Sequence, residues 1–578
     1  MPRRPIPICL LLAAALLLAG PLRAQQAPAD EESPRDVFFE AVDVEVVNVE
    51  VYVTDREGRR VAGLGRDDFE VLEDGRPVQI TNFYAVEGGR RADDDDGAGD
   101  AAEPGVDPDA EAGAAPPLPD PRLPGPPVPE EQRLHLVLYF DNLNLRPFDR
   151  NRVIHETRAF LQRTVRPGDR VMLVTADRSL QVRQPFTEDL RLIHRALDEV
   201  EAVSGFAVQR DTERQGVVRA IQQADTWEDA EPQVDLYAKS LYNDVEVSLR
   251  LIQEVVGSLG GLPGRKALFH VSNGLAMTAG AELFHLLDER FARGASRLQA
   301  NRYQKRRDFR ELAAKANANR VTFYTLDAAG LSARSSISAE HGGTSGSLVE
   351  MDFVHDANRQ EPLELLAEDT GGQSVLNTSN FAGALERIGQ DFGTYYSLGY
   401  SPATAGDGRY HTIEVRLKER RRGLQVRHRE GYRAKSASTR LAEGNLASLL
   451  HGAERNPLGV RVVTGTPRRN DQGRFLVPLE VAIPLGSLAL VPHRDVHSAR
   501  LLVAVTVMDG EGETSPPTLT PVPLDIPAAE VETARRQHFT YEAELLMRPG
   551  RHRVAVAVRD EVGGETSFVQ EPVVVQPR

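Results

Sequence analysis

Cysteine is all but missing from this chain: Cys9 is the only one in 578 residues, and it sits inside an apolar run near the start. Once that run is removed, disulfide stapling and thiol catalysis are both excluded. Cys9 also lies well ahead of the predicted cleavage point, which argues against a lipid on the mature N-terminus. Long apolar segments are equally scarce. The run over residues 8–19 is about a dozen residues long, short of the roughly 20 that a spanning helix needs, and no later segment reaches that length. Excess positive charge is missing too: 69 Lys and Arg stand against 85 Asp and Glu, a net charge of −16. Nucleic acid is therefore not expected as a general partner.

Enzyme motifs lack their decisive members. His155-Glu156 opens a zinc-protease-like phrase, but Ala159 stands where the second histidine belongs. Gly343-Thr344-Ser345-Gly346-Ser347 lacks the closing glycine of a nucleophile elbow. Gly264-Arg265-Lys266 precedes a strand instead of following one and lacks the Gly-Lys-Ser/Thr order of a phosphate loop. The expectation is a protein without enzymatic activity.

Residues 1–24 read as a secretory signal: Arg3 and Arg4 give a basic start, the apolar run follows, and Leu22-Arg23-Ala24 is a tolerable cleavage site. The mature chain would begin at Gln25, lack a transmembrane helix and work in a periplasm or at a cell surface. An uncleaved signal serving as an anchor is the alternative. The remaining length suggests several domains. Residues 36–87 form a small β unit, with turn signals at Glu73-Asp74-Gly75 and a bulge or bend near Val46, where the alternation of the strand changes phase. Residues 88–131 are rich in Pro, Ala, Gly and Asp, with nine acids and no base over 92–111. They read as a disordered, self-repelling linker, with a calcium sponge or anion-presenting tail as the alternative.

From 132 onward strands and helices alternate. Residues 134–140 are a continuous apolar-rich run suited to a strand buried on both faces. A helix from about Asp149 carries Val153, Ile154, Phe160 and Leu161 on one side, a strand follows at 171–175, and an extended segment at 180–186. Leu190, Ile193, Leu197 and Val200 recur at helical spacing, and after a polar insertion so do Val245, Leu249, Ile252, Val256 and Leu259. A strand at 267–271, one long helical stretch over 281–318 and a strand at 321–326 complete the pattern. This predicts a mostly parallel sheet with helices on both faces and a ligand site at the strand C-termini.

Several phrases resemble the von Willebrand factor A-related proteins of bacterial genomes. They are Asp67-Asp68-Phe69-Glu70-Val71-Leu72-Glu73-Asp74-Gly75, Leu136-Val137-Leu138-Tyr139-Phe140-Asp141, Gly168-Asp169-Arg170-Val171, Tyr324-Thr325-Leu326-Asp327 and Tyr395-Tyr396-Ser397-Leu398-Gly399-Tyr400. Together they cover about residues 40–433. The resemblance implies an α/β, doubly wound, Rossmann-like von Willebrand A-like domain over 132–392. It also implies a metal-ion-dependent adhesion site of the form Asp-x-Ser-x-Ser after the first strand, completed by a Thr and an Asp from later loops. A hard cation prefers such oxygen ligands. Here the aligned segment is Asp141-Asn142-Leu143-Asn144-Leu145, so the acid stays while leucine replaces both hydroxyls. The later acid appears as Asn273 in Ser272-Asn273-Gly274. The candidate metal residues are therefore Asp141, Asn144 and Asn273. The cofactor expectation is none, with weak Mg²⁺ or Ca²⁺ binding at this degenerate site as the alternative, and otherwise Asp141 and Asn144 simply order the loop.

Residues 393–434 read as a β meander, which the sequence permits to pair with the 36–87 unit. Within it Arg416, Lys418 and Arg420 alternate with apolar residues, as do Arg427 and Arg429. If the two strands pair through a turn near 421–423, one face is strongly basic and could grip an anionic polysaccharide of the envelope, a lipid headgroup or an acidic protein. A solvated face is the competing explanation. Residues 446–578 show short strands and turn signals at Pro549-Gly550 and Gly563-Gly564, the pattern of an immunoglobulin-like β-sandwich. The leading expectation is an exported protein-interaction or adhesion protein that works without a metal, its protein partner unidentified. The alternatives are a metal-dependent receptor centred on Asp141 and an anion-binding structural protein using the 416–429 face.

Overall fold

The computed structural model describes residues 46–87, 90–91, 132–203, 205, 207–294, 296–331, 346–402, 404, 406–418, 423–471 and 474–576. The signal, residues 88–89 and 92–131 of the acidic linker, residues 343–345 of the Gly343 to Ser347 phrase and Arg420 lie outside them. So does most of the expected bend, of which only Val46 is described. Residues 90–91, expected within the linker, form a short strand.

In chain order the first strands are β1 (Val47–Thr54), β2 (Phe69–Glu73), β3 (Arg76–Val78), β4 (Ile80–Glu87) and β5 (Arg90–Arg91). The α/β segment follows as β6 (Leu134–Phe140), α1 (Pro147–Thr164), β7 (Arg170–Ala176), β8 (Leu180–Thr187), α2 (Leu190–Glu201), α3 (Ala207–Gln223), α4 (Trp227–Ser258), β9 (Arg265–Ser272), α5 (Ala281–Phe291), α6 (Ser296–Ala300), α7 (Arg306–Ala318), β10 (Val321–Asp327), α8 (Gly346–Asp369), β11 (Gln373–Val375) and α9 (Phe381–Gly393). Next come β12 (Tyr395–Tyr400), β13 (Tyr410–Leu417), β14 (Gln425–Arg427), β15 (Gly431–Arg433) and α10 (Ala437–His451). The last segment contributes β16 (Arg461–Thr464), β17 (Arg468–Arg469), β18 (Phe475–Pro484), β19 (Val491–His493), β20 (Val496–Asp509), β21 (Thr518–Pro527), α11 (Val531–Ala534), β22 (His538–Met547), β23 (Gly550–Asp560) and β24 (Thr566–Val575).

The central sheet runs β11-β10-β9-β6-β7-β8, parallel except for the antiparallel edge strand β8. Counted within the domain, that order is 3-2-1-4-5-6, the doubly wound arrangement whose switch point lies between β6 and β9. Period-two alternation explains why both faces are covered. Leu134, Leu136, Leu138 and Phe140 enter one apolar cluster with residues of α1, α2 and α9, while Val137 and Tyr139 enter another with residues of α4 and α7.

Two expectations within this domain change. The stretch 281–318 is not one helix: Ala292 and Gly294 have φ of 49° and 64°, left-handed values that end α5 before α6 and α7 begin. The polar insertion is itself helical, supplying α3 and the first half of α4. The helices α8, α9 and α10 carried no expectation from the sequence.

β1 pairs with β12 and β14, β12 pairs with β4, and β13 pairs with β2 and β15. Segments on either side of the α/β domain thus share two sheets around Val49, Val51, Phe69, Val71, Leu398 and Val415. The expected hairpin between residues 413–417 and 424–428 does not form. β13 lies in one sheet and β14 in the other, because each finds an apolar partner strand from the N-terminal segment.

Residues 458–576 fold as two antiparallel sheets around Val477, Leu479, Val481, Leu501, Val503 and Val556. α10 covers the outer face of β20 and β23, where Leu441 packs with Leu502, Ala504 and Ala557. Residue 446, expected to open this last domain, therefore lies in the middle of α10.

Candidate functional site: the rim around Asp141

Asp141 follows β6 directly, and Ser272 ends the neighbouring β9, so both stand at the switch point. Asp141 is completely buried. Its Oδ2 accepts from Asn144 Nδ2 at 2.8 Å and from the Ser272 hydroxyl at 3.0 Å. Leu143 and Leu145 fix the loop in place, because Leu143 enters the cluster on the α4 side of the sheet and Leu145 the cluster on the α1 side. The positions that would carry hydroxyl ligands are thus apolar anchors.

Asn273 turns away from Asp141. Its Nδ2 donates to Asp149 Oδ2 at 2.7 Å, and its Oδ1 accepts from the Arg146 backbone at 3.2 Å. Asp327, on the same rim, is held by Gln360 Nε2 at 2.8 Å and by the Ala329 backbone at 3.0 Å. Burial pushes the Asp327 carboxyl up. The structure therefore brings Asp141 and Asn144 together and leaves Asn273 outside the group.

Cationic side chains occupy the space above the loop. Arg210 of α3 donates to Asn144 Oδ1 at 2.7 Å and pairs with Asp244 of α4 at 3.0 Å. Arg150, fully buried, donates to Asn142 Oδ1 at 3.2 Å and to the carbonyls of Glu201 and Val203. Gly205 brings the chain so close that a Cβ there would lie 2.6 Å from the Leu145 carbonyl. Pro362 shapes the far side. Lacking an N–H, it leaves the Asn358 carbonyl in α8 free to accept from Met277 at 3.0 Å, which holds α8 against the loop after β9.

A Mg²⁺ or Ca²⁺ shell needs about six or more converging oxygens. Around Asp141 there is one carboxylate, an amide whose oxygen faces Arg210, and a hydroxyl that donates to the acid. These residues do not fit such an ion. Among the described residues, the groupings of acids and histidines able to converge on a cation lie elsewhere, at Glu73, Asp74 and His411 and at His285, Glu289 and Glu350.

Ser272, Tyr139, His270 and Arg210 carried no expectation. Ser272 was legible within the Ser272-Asn273-Gly274 phrase. Tyr139 and His270 are paired residues on β6 and β9, with rings 5.4 Å apart, and polar residues inside apolar strands are a detectable signal. Burial, then the nearby Asp141 charge, pushes the Tyr139 phenol well up. The Tyr139 hydroxyl, Asp141 Oδ1 and both His270 nitrogens are buried without a hydrogen-bond partner among protein groups. Arg210, inside the polar insertion, left no such trace.

The basic face divides. Arg416 and Lys418 on the β13 side are exposed, and Arg416 is bound to Glu414. Arg427 and Arg429 point inward. Arg427 donates to both oxygens of the buried Asp391, each at 3.0 Å, while Arg429 donates to the Asn48 carbonyl at 2.8 Å. They do not join Arg416 in one basic face, because Arg427 is turned onto Asp391 and Arg429 is buried.

The fold and site define a doubly wound α/β domain, closed at its switch point, set between strands of a two-sheet β module. No protein-family model matches the chain, and no curated protein matches it in sequence. Solved structures similar to it include a von Willebrand factor type A protein from Catenulispora acidiphila, at 8% identity over 77% of this chain and 66% of that one, with a TM-score of 0.22. An aerotolerance-related membrane protein from Bacteroides fragilis aligns at 10% identity over 45% of this chain and 98% of that one, TM-score 0.22. The pilus adhesin of Streptococcus pneumoniae aligns at 8% identity over 90% of this chain and 79% of that one, TM-score 0.22. At these scores the class rests on the sheet topology and not on the likenesses. No helix among the described residues is long and apolar enough to cross a membrane.

Proposed function

We propose that this chain is an exported, non-enzymatic protein-interaction or adhesion protein that recognises a protein partner without a metal, in the periplasm or at the cell surface. The observation that carries the reading is the contrast at the rim: Asp141 is sealed, while Phe148, three residues past Leu145 on α1, is 77% exposed. Phe353 of α8 is 61% exposed beside Asp352, which pairs with Arg214 of α3. Aromatic side chains are enriched at protein-recognition surfaces, and these two exposed phenylalanines are the rim's candidates for that role. In this reading the C-terminal sheets act as an immunoglobulin-like spacer or docking unit.

The test is capture of envelope proteins on the mature chain, with and without chelator. The reading expects a partner retained in chelator, kept by Asp141→Asn, and weakened at least about tenfold by Phe148→Asp combined with Phe353→Asp. Capture that requires Mg²⁺ and disappears in Asp141→Asn overturns it.

A further inference from the structure

At the opposite end of the sheet from Asp141, a cavity of about 210 Å³ opens where β9 and β10 begin. Six cationic side chains line it, Lys266, Arg320, Arg429, Arg433, Lys435 and Arg440, against a single carboxylate, Glu443. They come from three parts of the chain: the α/β domain, the strands that follow it, and α10.

Some of this charge is satisfied within the protein. Lys435 Nζ bonds Glu443 at 2.7 Å and Asn319 at 2.6 Å, and Lys266 Nζ donates to the Leu262 carbonyl at 2.7 Å. Much of it is not. Arg429 is 6% exposed, and its Nε has no hydrogen-bond partner. The Arg320 guanidinium makes no ion pair among the described residues. Burial, followed by repulsion from Arg320, Lys435 and Arg429, lowers the Lys266 amine to about 7, with only Glu50 acting against it. Like charges crowded this closely disfavour the empty arrangement.

The backbone adds an independent sign. Arg320 follows the end of α7 with φ of 55°, a left-handed position that glycine normally fills at a helix C-terminus. A β-carbon there is strained, and residues kept in such conformations cluster at ligand sites.

We propose that this cavity is a binding site for a phosphate- or sulfate-type oxyanion, held by Arg320 and Arg429 together with Lys266 and Arg433. The oxyanion comes either free or as a substituent on a polymer. Planar guanidinium groups match the oxygens of such an anion, and a bound anion would tie the three contributing segments together. The site is separate from the rim and does not depend on how the protein recognises its partner.

The experiment is calorimetric titration of the full chain with inorganic phosphate, inorganic sulfate and heparin, at ionic strength matched with sodium chloride. Arg320→Gly is the informative variant, because it relieves the left-handed strain while removing the guanidinium. The expected result is saturable binding to the natural chain, weakened at least about tenfold in Arg320→Gly and in Arg433→Gln, with the thermal midpoint of anion-free Arg320→Gly unchanged or raised. Binding of free phosphate or sulfate assigns a free anion; binding of heparin alone, weakened by the same variants, assigns an oxyanion carried on a polymer. Absence of saturable binding by all three, or equal affinity in Arg320→Gly, overturns the proposal.

Discussion

Replacing Asp391 by alanine should unlatch the N-terminal β module from the α/β domain. Asp391, near the end of α9, is fully buried, and its oxygens accept from Arg427 at 3.0 Å each and from Gln373 at 2.7 Å. Arg60, in the loop after β1, pairs with the same carboxylate. Both guanidinium groups lie over the Tyr52 ring, at 5.5 and 5.1 Å from its centre, and Tyr52 accepts from Arg265 of β9 at 3.2 Å. Removing one member of a buried ion pair costs about 3–5 kcal/mol, because the partner is left charged and desolvated. The lower end applies here, since Arg427 already donates to the Gly371 and Gly372 carbonyls and its side chain is 25% exposed. A multidomain chain need not unfold in one step, so a single unfolding free energy is the wrong readout. Amide hydrogen exchange along β1 and β14 reports the local opening directly. A change of about 3 kcal/mol should speed exchange there about 100-fold and leave β20 and β23 unaffected. Removing Arg427 as well, as in Asp391→Ala with Arg427→Met, should recover part of the protection, Arg60 alone being left without its carboxylate. Exchange in Asp391→Ala within about threefold of the natural chain would refute the argument.

Two further outcomes follow from the geometry. Leu145→Ser, which restores a hydroxyl to the adhesion pattern, should destabilise the protein by about 2–5 kcal/mol, as loss of a buried leucine does, and should confer no Mg²⁺ binding; a calorimetric Mg²⁺ signal would contradict the account of the rim. Burial lowers the affinity of His411 for its proton, but the hydrogen bonds its ring N–H groups donate to Asp74 at 2.8 Å and Asp407 at 3.2 Å outweigh it and raise the pKa. The stabilisation is then fully present below the ordinary histidine value of about 6.5 and is lost as pH rises through the raised folded value. The gap in thermal midpoint between the natural chain and His411→Gln should narrow from pH 5.5 to 9, and a constant gap would show that the pairing contributes nothing.

The α/β core was legible because its strands carry their own evidence. Apolar residues on both phases of β6 require cover on both faces, and helical spacing supplied α1, α2 and the second half of α4. α3 was not legible, since its exposed polar residues give almost no apolar stripe and only Ala207 and Ile221 are buried. The replacement of two hydroxyls and an acid around Asp141 could be read directly, as a matter of which atoms each side chain offers. That Arg210 and Arg150 close over the loop could not, because that depends on where an inserted helix comes to rest.

The clearest division concerns the arginines near residue 420. Alternation along residues 413–417 and 424–428 established two strands and put Arg416, Arg427 and Arg429 at chosen phases, but not the partners those strands would take. Pairing with β1 and β2, from the far side of the α/β domain, turned Arg427 onto Asp391 and Arg429 into a cavity. The sequence by itself determined the layered α/β core, the flanking strands and the chemistry lost at the rim, because these follow from periodicity and from the atoms of single side chains. Only the tertiary structure decided which charges face inward and which segments share a sheet, because strand partners distant in sequence are selected by burial across the whole fold.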